Sequence, residues 1–290
     1  MIAWLFNLDA ERELAAPRSY QPRRAIAAGV AKLRPVLGSL LAPGDGIVLP
    51  DDPPGCFRGF RGRAWCPTPS AQRRLREVGA ELGPAPPVEV LRAVNDRAFS
   101  AALGQTLPGA CFVRAGRALQ EGVASFPAGR RLLLKRAFSF AGKGRRPGAA
   151  GTLDGGALAW ARASCKSGGV QVEPFVERLL DLGMHGFLAA DGTVTFGVPT
   201  VQQIAKDGAW RGSTRAEPGL LDAGEEASLK AEGARVAQAL RAAGYHGPFG
   251  IDAFRYREAG AVIFNPRPEI NARYSMGWAL SMQDRRPDRG

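Results

Sequence analysis

The sequence has few of the residues that build zinc sites and disulfide frameworks. Its 290 residues include only four cysteines and two histidines, and no two cysteines have the CxxC spacing of a zinc site. The cysteines are therefore expected to be free thiols. No apolar run reaches the roughly 18 residues that a membrane span requires, and the acidic opening segment does not resemble a signal peptide. We expect a cytoplasmic protein with no membrane partner.

Lysine is also scarce, although the chain is strongly basic. Only six of the 39 basic residues are Lys, and the formal net charge is +12. The Arg residues are scattered, and no stretch interleaves basic with aromatic residues as single-strand nucleic-acid sites do. This distribution argues against nucleic acid as the main ligand. The surplus of positive charge still favours acidic small-molecule substrates.

The chain is long enough to form several lobes. A Pro-rich stretch at 83–87 resists both helix and central strand and is typical of a linker. We expect a mixed α/β (α+β) fold with a small N-terminal α/β lobe at 1–88. A second lobe would follow at 89–170, a third at 171–282, and a disordered tail at 283–290.

Hydrophobic periodicity predicts the main elements of each lobe. In the first lobe it predicts strands at 2–8 and 46–49 and a helix near 22–41. The later elements are predicted in the order helix 94–103, strand 110–113, helix 116–125, strand 131–136, helix 154–165, strand 170–176, hairpin 184–198 around Asp191-Gly192, helix 224–243 and two final strands.

The C-terminal part of the chain has polar residues suited to metal and phosphate. Asp252 lies in one predicted strand, and the next strand carries Glu269, Asn271 and Arg273 at alternate positions. Alternate residues of a strand share a face. Mg²⁺ prefers hard oxygen ligands, and Arg binds phosphate through two parallel hydrogen bonds. A solvated strand edge is the alternative interpretation, because short patterns recur by chance.

A glycine-rich loop at 139–146 follows directly after the predicted strand that contains Lys135. Glycine lets backbone amides approach a phosphate closely, and nearby cations neutralise its charge. The loop has neither the GxxxxGK[ST] order of a Walker A loop nor the GxGxxG order of a dinucleotide-binding loop. A flexible basic surface turn is the alternative.

Between these two features, the segment Glu-Pro-Phe-Val-Glu at 173–177 ends a predicted strand. Such a segment can line a slot for a purine, with backbone groups at the base edge and a carboxylate at the ribose hydroxyls. The alternative is an ordinary strand that leaves the core, with its apolar residues packed and its last carboxylate in solvent.

The order of these features resembles the ATP-grasp superfamily, in which two α+β lobes hold Mg-ATP between them. The resemblance covers about residues 90–280. The segment at 94–99 is similar to the NDKxxF entry of the family, with Arg97 where Lys is usual. An Arg contacts phosphate as a planar fork and not as a point charge. Residues 1–88 would correspond to the small lobe that precedes the grasp and often helps to bind substrate.

The resemblance implies which positions hold the phosphates. Lys135 would contact the α and β phosphates, and Arg97 would lie near them. Gly142, Lys143 and Gly144 would cover the triphosphate.

The resemblance also implies which positions hold the nucleoside. Glu173, Phe175 and Val176 would belong to the adenine hinge. Glu177 or Asp181 would hold the ribose, with Glu177 preferred because Asp181 could equally begin the next strand.

For the metal, the resemblance implies that Asp252, Glu269 and Asn271 bind one or two Mg²⁺ (or Mn²⁺) ions. Arg273 would steady the transferred phosphate, so Arg273 and Lys135 are the candidate catalytic residues. No side chain need act as a nucleophile, because phosphoryl transfer depends mostly on positioning and charge neutralisation.

Members of the superfamily typically activate a carboxylate as an acyl phosphate, which an amine then attacks. The resemblance therefore implies an ADP-forming ligase whose partners are a small-molecule or peptide carboxylate and an amine, with a homodimer as one assembly. A loop at 202–215 would hold the carboxylate or else be an exposed polar loop. His185 and His246 are expected to be structural. A kinase, or a non-catalytic module that binds nucleotide or polyanion, is the alternative.

Overall fold

The computed structural model describes residues 1–22, 30, 37–139, 144–151, 153–205 and 210–289. These residues form three β-sheets with helices packed against them. Within those ranges, no helix combines the length and the apolar character that crossing a membrane requires.

Four short parallel strands form the N-terminal sheet, in the order β2-β1-β3-β4. The elements of this lobe are β1 (Ile2–Leu5), α1 (Ala10–Ala15), β2 (Gly46–Ile47), β3 (Arg61–Ala64), α2 (Pro69–Glu77) and β4 (Glu81–Leu82). The predicted helix at 22–41 falls mostly outside the described residues.

β1 ends three residues earlier than the predicted strand at 2–8. The amide of Leu8 donates to the carbonyl of Phe6, and the amide of Ala10 donates to the carbonyl of Asn7, both at 3.0 Å. These bonds turn the chain out of the sheet and into α1, a helix that the periodicity does not predict.

Two helices, α3 (Val88–Asn95) and α4 (Arg97–Ala102), lead from the first lobe to the second. They replace the single predicted helix at 94–103. The break is at Asp96, whose backbone is extended and whose side chain accepts a hydrogen bond from the amide of Ala98 at 2.8 Å. A side chain that caps one helix cannot continue the preceding one, so Arg97 becomes the first residue of α4.

The second sheet is antiparallel and has the order β5-β8-β6-β7. Its elements are β5 (Cys111–Val113), α5 (Gly116–Ala124), β6 (Arg131–Arg136), β7 (Arg145–Ala149), α6 (Gly155–Lys166) and β8 (Val170–Pro174). Leu132 and Leu134 of β6 pack into a core with residues of α5 and α6. Because successive side chains alternate, β6 presents Lys135 on its other face.

The third sheet has the order β12-β11-β9-β13-β14, with β10 paired to β9. Its elements are β9 (Glu177–Leu188), β10 (Val194–Phe196), β11 (Thr200–Ile204), β12 (Trp210–Arg215), α7 (Ala223–Ala242), β13 (Gly247–Glu258), β14 (Ala261–Asn271) and α8 (Trp278–Ser281). The predicted hairpin around Asp191-Gly192 pairs as expected. The predicted loop at 202–215 is instead the hairpin of β11 and β12.

One hydrophobic core joins the first and third sheets. The ring of Trp4 in β1 meets that of Tyr274 edge-on at 5.2 Å between centroids, and Tyr274 meets Trp278 of α8 at 4.9 Å. All three side chains are buried. The N-terminal lobe is therefore packed against the segment that directly follows β14, the strand with the predicted metal ligands Glu269 and Asn271.

The C-terminal tail is ordered through Arg289, which corrects the prediction of disorder at 283–290. Asp288 is fully buried and accepts a hydrogen bond from the hydroxyl of Tyr274 at 3.1 Å. Arg289 pairs with Asp45 of the first lobe at 2.6 Å. The polar composition of the tail gives no sign of this hydrogen bond and this ion pair, because both form only when distant parts of the chain meet.

Candidate active site

Lys135 and Glu173 form a buried ion pair on neighbouring strands. The Nζ of Lys135 lies 2.5 Å from Oε1 of Glu173. The two residues are diagonal neighbours, because Lys135 is opposite Gln171 and Glu173 is opposite Leu133. Burial lowers the pKa of Lys135, the charge of Glu173 opposes that shift, and the nearby guanidinium of Arg97 reinforces it.

Gln171 holds the other side of the Glu173 carboxylate. Its Nε2 donates to Oε2 of Glu173 at 2.8 Å and to Oγ1 of Thr106 at 2.7 Å. Sequence reasoning missed Gln171, although its position two residues before Glu173 on one strand was a usable signal. Both carboxylate oxygens of Glu173 are therefore engaged within the protein.

The glycine-rich loop begins beyond Lys135 and returns as β7. Gly142 and Lys143 lie outside the described residues. Gly144 has a φ of +78°, and a Cβ added there would lie 2.9 Å from the Cβ of Ser139. The return of the loop therefore requires glycine at 144 for both conformation and space.

Asp252 of β13 and Glu269 of β14 are directly opposite each other. On its other side Asp252 is opposite Gly183 of β9. The absence of a side chain at 183 leaves room beside the carboxylate, where Nε2 of Gln202 donates to Oδ1 of Asp252 at 2.9 Å. Two carboxylates from adjacent strands therefore share one face of the third sheet.

This pairing depends on a shift of register within the β13–β14 hairpin. Phe254 is opposite Asn265, whereas Asp252 is opposite Glu269, so β14 has two more residues than β13 across this interval. Without the shift, Arg267 would be opposite Asp252. The irregular part of β14 contains Pro266 and Pro268, and proline has no N–H to contribute to a regular ladder.

Arg97 and Arg273 approach the same carboxylate face from two directions. Nη2 of Arg97 lies 2.8 Å from Oε1 of Glu269. Nη2 of Arg273 donates to Oδ1 of Asn271 at 3.0 Å, and its Nε donates to Oε1 of Glu11 at 2.5 Å. Glu11 belongs to α1, so this ion pair connects the N-terminal lobe to the predicted phosphate-binding residue.

The charges of the site shift the pKa values of its two facing carboxylates in opposite directions. Burial and the charge of Glu269 raise the pKa of Asp252 to about 6. Burial opposes ionisation of Glu269 as well, but the cations Arg97, Lys135 and Arg273 outweigh it and lower the pKa of Glu269. Glu269 is thus the point on which three of the predicted phosphate-binding and catalytic cations act.

The predicted hinge at 173–177 leads directly into β9. Phe175 is half-exposed, and the guanidinium of Arg131 lies 4.2 Å from its ring centroid. Val176 packs beside the small core of Phe254 and Tyr256. Neither side chain is fully buried in the way that an ordinary core strand would require.

The two candidate ribose ligands have different surroundings. The side chain of Glu177 is 68% exposed, and its nearest cation, Arg257, is 3.7 Å away. The side chain of Asp181 is 18% exposed and lies 2.8 Å from Nη1 of Arg178. The charge of Asp181 also acts on Asp252 and raises its pKa.

Arg178 is a site residue that sequence reasoning missed. Its guanidinium stacks over the ring of Phe254 at 4.2 Å, and its charge acts on Lys135, Asp252 and Glu269. Arg178 lies near the start of β9, where the pairing is irregular, so hydrophobic periodicity does not indicate its role. Its role emerges only when β9 is paired with β13.

The predicted carboxylate-binding segment at 202–215 contributes less than expected. Gln202 does reach Asp252, but Arg215 pairs with Asp284 and donates to the carbonyl of Leu280. Lys206 lies outside the described residues. The described part of the hairpin thus contacts the predicted metal ligand Asp252 through Gln202, while Arg215 is engaged elsewhere.

The two histidines differ from catalytic residues in their surroundings. His185 is buried and bonded to Ser275 Oγ at 2.9 Å and Thr200 Oγ1 at 3.3 Å, and burial lowers its pKa to about 3. Burial also lowers the pKa of His246. His185 is therefore a neutral packing residue at ordinary pH, as the sequence analysis expected.

The donor set fits a divalent cation and a triphosphate. Two facing carboxylates that repel each other, with the amide oxygen of Asn271 nearby, are hard ligands suited to Mg²⁺. Within the described residues there is no group of three or more His, Cys, Asp or Glu side chains suited to a metal, and the oxygen donors here are two carboxylates and one amide. Cations from three elements surround these ligands, as a polyphosphate requires.

No protein-family model and no curated protein sequence matches the chain. Solved structures do. N5-carboxyaminoimidazole ribonucleotide synthetase from Thermus thermophilus is similar over 95% of this chain and 72% of its own, with 20% identity and a TM-score of 0.52. N5-carboxyaminoimidazole synthetase from Staphylococcus aureus, complexed with ADP, is similar over 94% and 70%, with 11% identity and a TM-score of 0.54.

D-alanyl-alanine synthetase A from Vibrio cholerae is similar over 94% of this chain and 88% of its own, with 14% identity and a TM-score of 0.52. These neighbours are ATP-grasp enzymes. At such identities the similarity shows the fold alone, and it includes the N-terminal lobe as well as the two lobes with the sequence motifs. The chain therefore has the ATP-grasp fold, a mixed α/β architecture.

Proposed function

We propose that this protein is an ATP-dependent, ADP-forming ligase that activates a carboxylate as an acyl phosphate for attack by an amine. The observation that carries the proposal is the face shared by Asp252 and Glu269, on which Arg97, Lys135 and Arg273 converge. Paired acids ringed by cations match a metal-bound polyphosphate, which brings both signs of charge into one place. The similar structures are named as synthetases, and one of them is complexed with ADP, which supports the same chemistry.

The phosphate end would be held by cations from different elements. Lys135 on β6 and Arg97 at the start of α4 would contact the phosphates, and Gly144, with the predicted loop residues Gly142 and Lys143, would cover them. Both described cations are now paired with carboxylates. A phosphate would therefore replace or share a partner that already orients each cation.

The base would lie against the backbone of 173–176, because the side chain of Glu173 is already bonded to Lys135 and Gln171. For the ribose we propose Asp181 ahead of Glu177. The low exposure of Asp181 and its contact with Arg178 support this choice, since a held carboxylate loses less entropy on binding than a free one.

Asp252, Glu269 and Asn271 would hold Mg²⁺ (or Mn²⁺). When bound, the metal nucleotide would supply the phosphoryl group and neutralise its charge. The role of Arg273 follows from its own contacts: Glu11, Asn271 and the carbonyl of Tyr274 hold its guanidinium beside Asn271, one of the proposed metal ligands. There it would stabilise negative charge on the transferred group.

Calorimetry tests the nucleotide site directly. ATP would be titrated with and without Mg²⁺ into the wild type, into Glu269→Gln and into Glu121→Gln, a surface control on α5. We expect binding that strengthens with Mg²⁺, and we expect Glu269→Gln to lose that strengthening while the control keeps it. Equal binding by all three proteins with and without Mg²⁺ would contradict the metal assignment.

Release of ADP tests the reaction class. The enzyme would be supplied with Mg-ATP and pooled carboxylates, with and without pooled amines. Amine-dependent ADP release together with an amide product is expected. A stable phosphorylated product that forms equally well without any amine would replace the ligase with a kinase.

A further inference from the structure

A cavity of about 420 Å³ lies within the N-terminal lobe, apart from the metal-binding face. Leu5, the last residue of β1, and Val48, which follows β2, contribute to its wall. The cavity is therefore at the carboxyl end of a parallel sheet, which is where open α/β sheets bind ligands. Its volume is in the range of small-molecule sites.

Most of the wall is apolar. Leu5, Phe6, Val30, Val48 and Ala71 all line the cavity. Such a surface favours a ligand with an aliphatic or otherwise apolar portion, because burying that portion removes it from water.

Asp9 places a buried negative charge on the wall. The residue is 3% exposed, and its Oδ1 accepts a hydrogen bond from the hydroxyl of Tyr20 at 3.1 Å. Its Oδ2 is buried and has no hydrogen-bond partner among the described residues. A buried carboxylate without a cation is costly, so an ammonium group is the natural complement.

Among the described charged residues of the wall, Arg73 is a cation without an ion pair. Arg74 lies 3.4 Å from Glu77 and donates to the carbonyls of Leu49, Pro50 and Asp52. Arg73 is exposed and lines the cavity, and no ion pair of Arg73 is found among the described residues. A ligand with one charge of each sign would thus meet Asp9 at a buried position and Arg73 at an exposed one.

We propose that this cavity binds an α-amino acid with an apolar side chain, with its ammonium on Asp9, its carboxylate at Arg73 and its side chain on the apolar wall. Two residues beyond Asp9, Glu11 holds Arg273 of the candidate active site. The cavity is thereby connected to Arg273 of the candidate active site through one short helix, α1. That the bound amino acid is the amine substrate rests on the proposed function, whereas its binding does not.

The binding test uses three matched probes and no nucleotide. Leucine carries both charges, 3-methylbutylamine lacks the carboxylate, and 4-methylpentanoate lacks the ammonium. Calorimetry on the wild type should rank leucine, as either enantiomer, first and the carboxylate last, and glycine should bind more weakly than leucine. Equal or tighter binding of 4-methylpentanoate, an amine that binds as tightly as leucine, or no binding by any probe would overturn the proposal.

Variants then identify the residues. Asp9→Asn keeps the size of the side chain and its bond with Tyr20 but removes the charge. We expect it to weaken leucine binding about tenfold or more, whereas Asp51→Asn, the same change at an exposed position of the same lobe, should have no effect. Arg73→Gln should weaken leucine but not 3-methylbutylamine. Unchanged leucine affinity in a folded Asp9→Asn, checked by thermal melting, would overturn the assignment.

ATP titrations of the same proteins separate this inference from the ligase proposal. Leucine binding without ATP binding would support the proposed amino-acid site and contradict the ligase proposal. ATP binding without leucine binding would do the reverse.

Discussion

The candidate active site around Asp252 and Glu269, here called the cleft, differs from the N-terminal cavity in how its charges are balanced. In the cleft, Lys135 is paired with Glu173 and Arg97 with Glu269, each at hydrogen-bonding distance. In the cavity, Asp9 has a buried oxygen without a partner among the described residues. A site with internally balanced charge suits a ligand that brings both cation and anion, such as a metal-bound triphosphate. A site with an unbalanced charge specifies the sign of the group that it binds.

The largest difference between the two sites is expected when one of the facing carboxylates is removed, because only the cleft should lose its activity. Glu269→Gln keeps the shape of the side chain but removes the negative charge that faces Asp252. We expect turnover to fall about 100-fold or more, because metal coordination and the hold on Arg97 are both weakened. Steady-state ADP release measures the loss. Leucine binding in the cavity should be unchanged, and a comparable loss there would mean that the two sites are not separate.

Lys135→Met tests whether Lys135 contributes to stability, through its ion pair with Glu173, to catalysis or to both. Removing one partner of a buried ion pair destabilises a protein by about 3 kcal/mol or more, because the other charge is left without compensation. Chemical denaturation should show that loss. Adding Glu173→Gln should recover much of the stability but none of the ATP turnover. Full recovery of turnover in the double variant would remove Lys135 from the catalytic set.

Glu11→Gln tests the helix that joins the two regions. Glu11 is buried and holds the guanidinium of Arg273. Without that charge, the hydrogen-bond acceptors of Arg273 among the described residues are all neutral, including Asn271 and the carbonyl of Tyr274. We expect turnover to fall about tenfold while the Kd for Mg-ATP changes little, since the loss concerns orientation more than nucleotide contact. An unchanged turnover would show that Arg273 is positioned without the N-terminal lobe.

The sequence predicts the local elements of the cleft well, for a clear physical reason. The alternation of buried leucines in β6 and of polar and apolar residues at 269–273 is a property of a single strand, so it can be read without knowing the neighbours. The position of β6 at Arg131–Arg136 and the Asp191-Gly192 hairpin are confirmed.

Contacts that depend on strand pairing cannot be predicted from the pattern of a single strand. Glu269 is opposite Asp252 only because the hairpin shifts register near Pro266 and Pro268. Arg178 joins the site through the pairing of β9 with β13, and the bond of Gln171 to Thr106 links distant parts of the chain. The buried Asp288 was missed for the same reason, since its partner Tyr274 belongs to a different element.

The smallest expected effect concerns the two candidate ribose ligands. Both lie on β9, but one carboxylate is paired and the other is exposed. Asp181 is held by Arg178, whereas Glu177 is largely in solvent. An exposed carboxylate contributes little because water competes for its hydrogen bonds. We expect Asp181→Asn to raise the Kd for ATP about threefold to tenfold, and Glu177→Gln to change it by less than about twofold.

A nucleotide without ribose hydroxyls makes this last test specific. In the wild type, 2′,3′-dideoxy-ATP should bind more weakly than ATP, because it cannot donate to the carboxylate. Asp181→Asn should remove most of that preference, while Glu177→Gln should keep it. If Glu177→Gln removes the preference instead, the exposed residue holds the ribose. Binding of the nucleotide would then have to order that side chain, and burial without ligand would be a poor guide to the role of a carboxylate in this cleft.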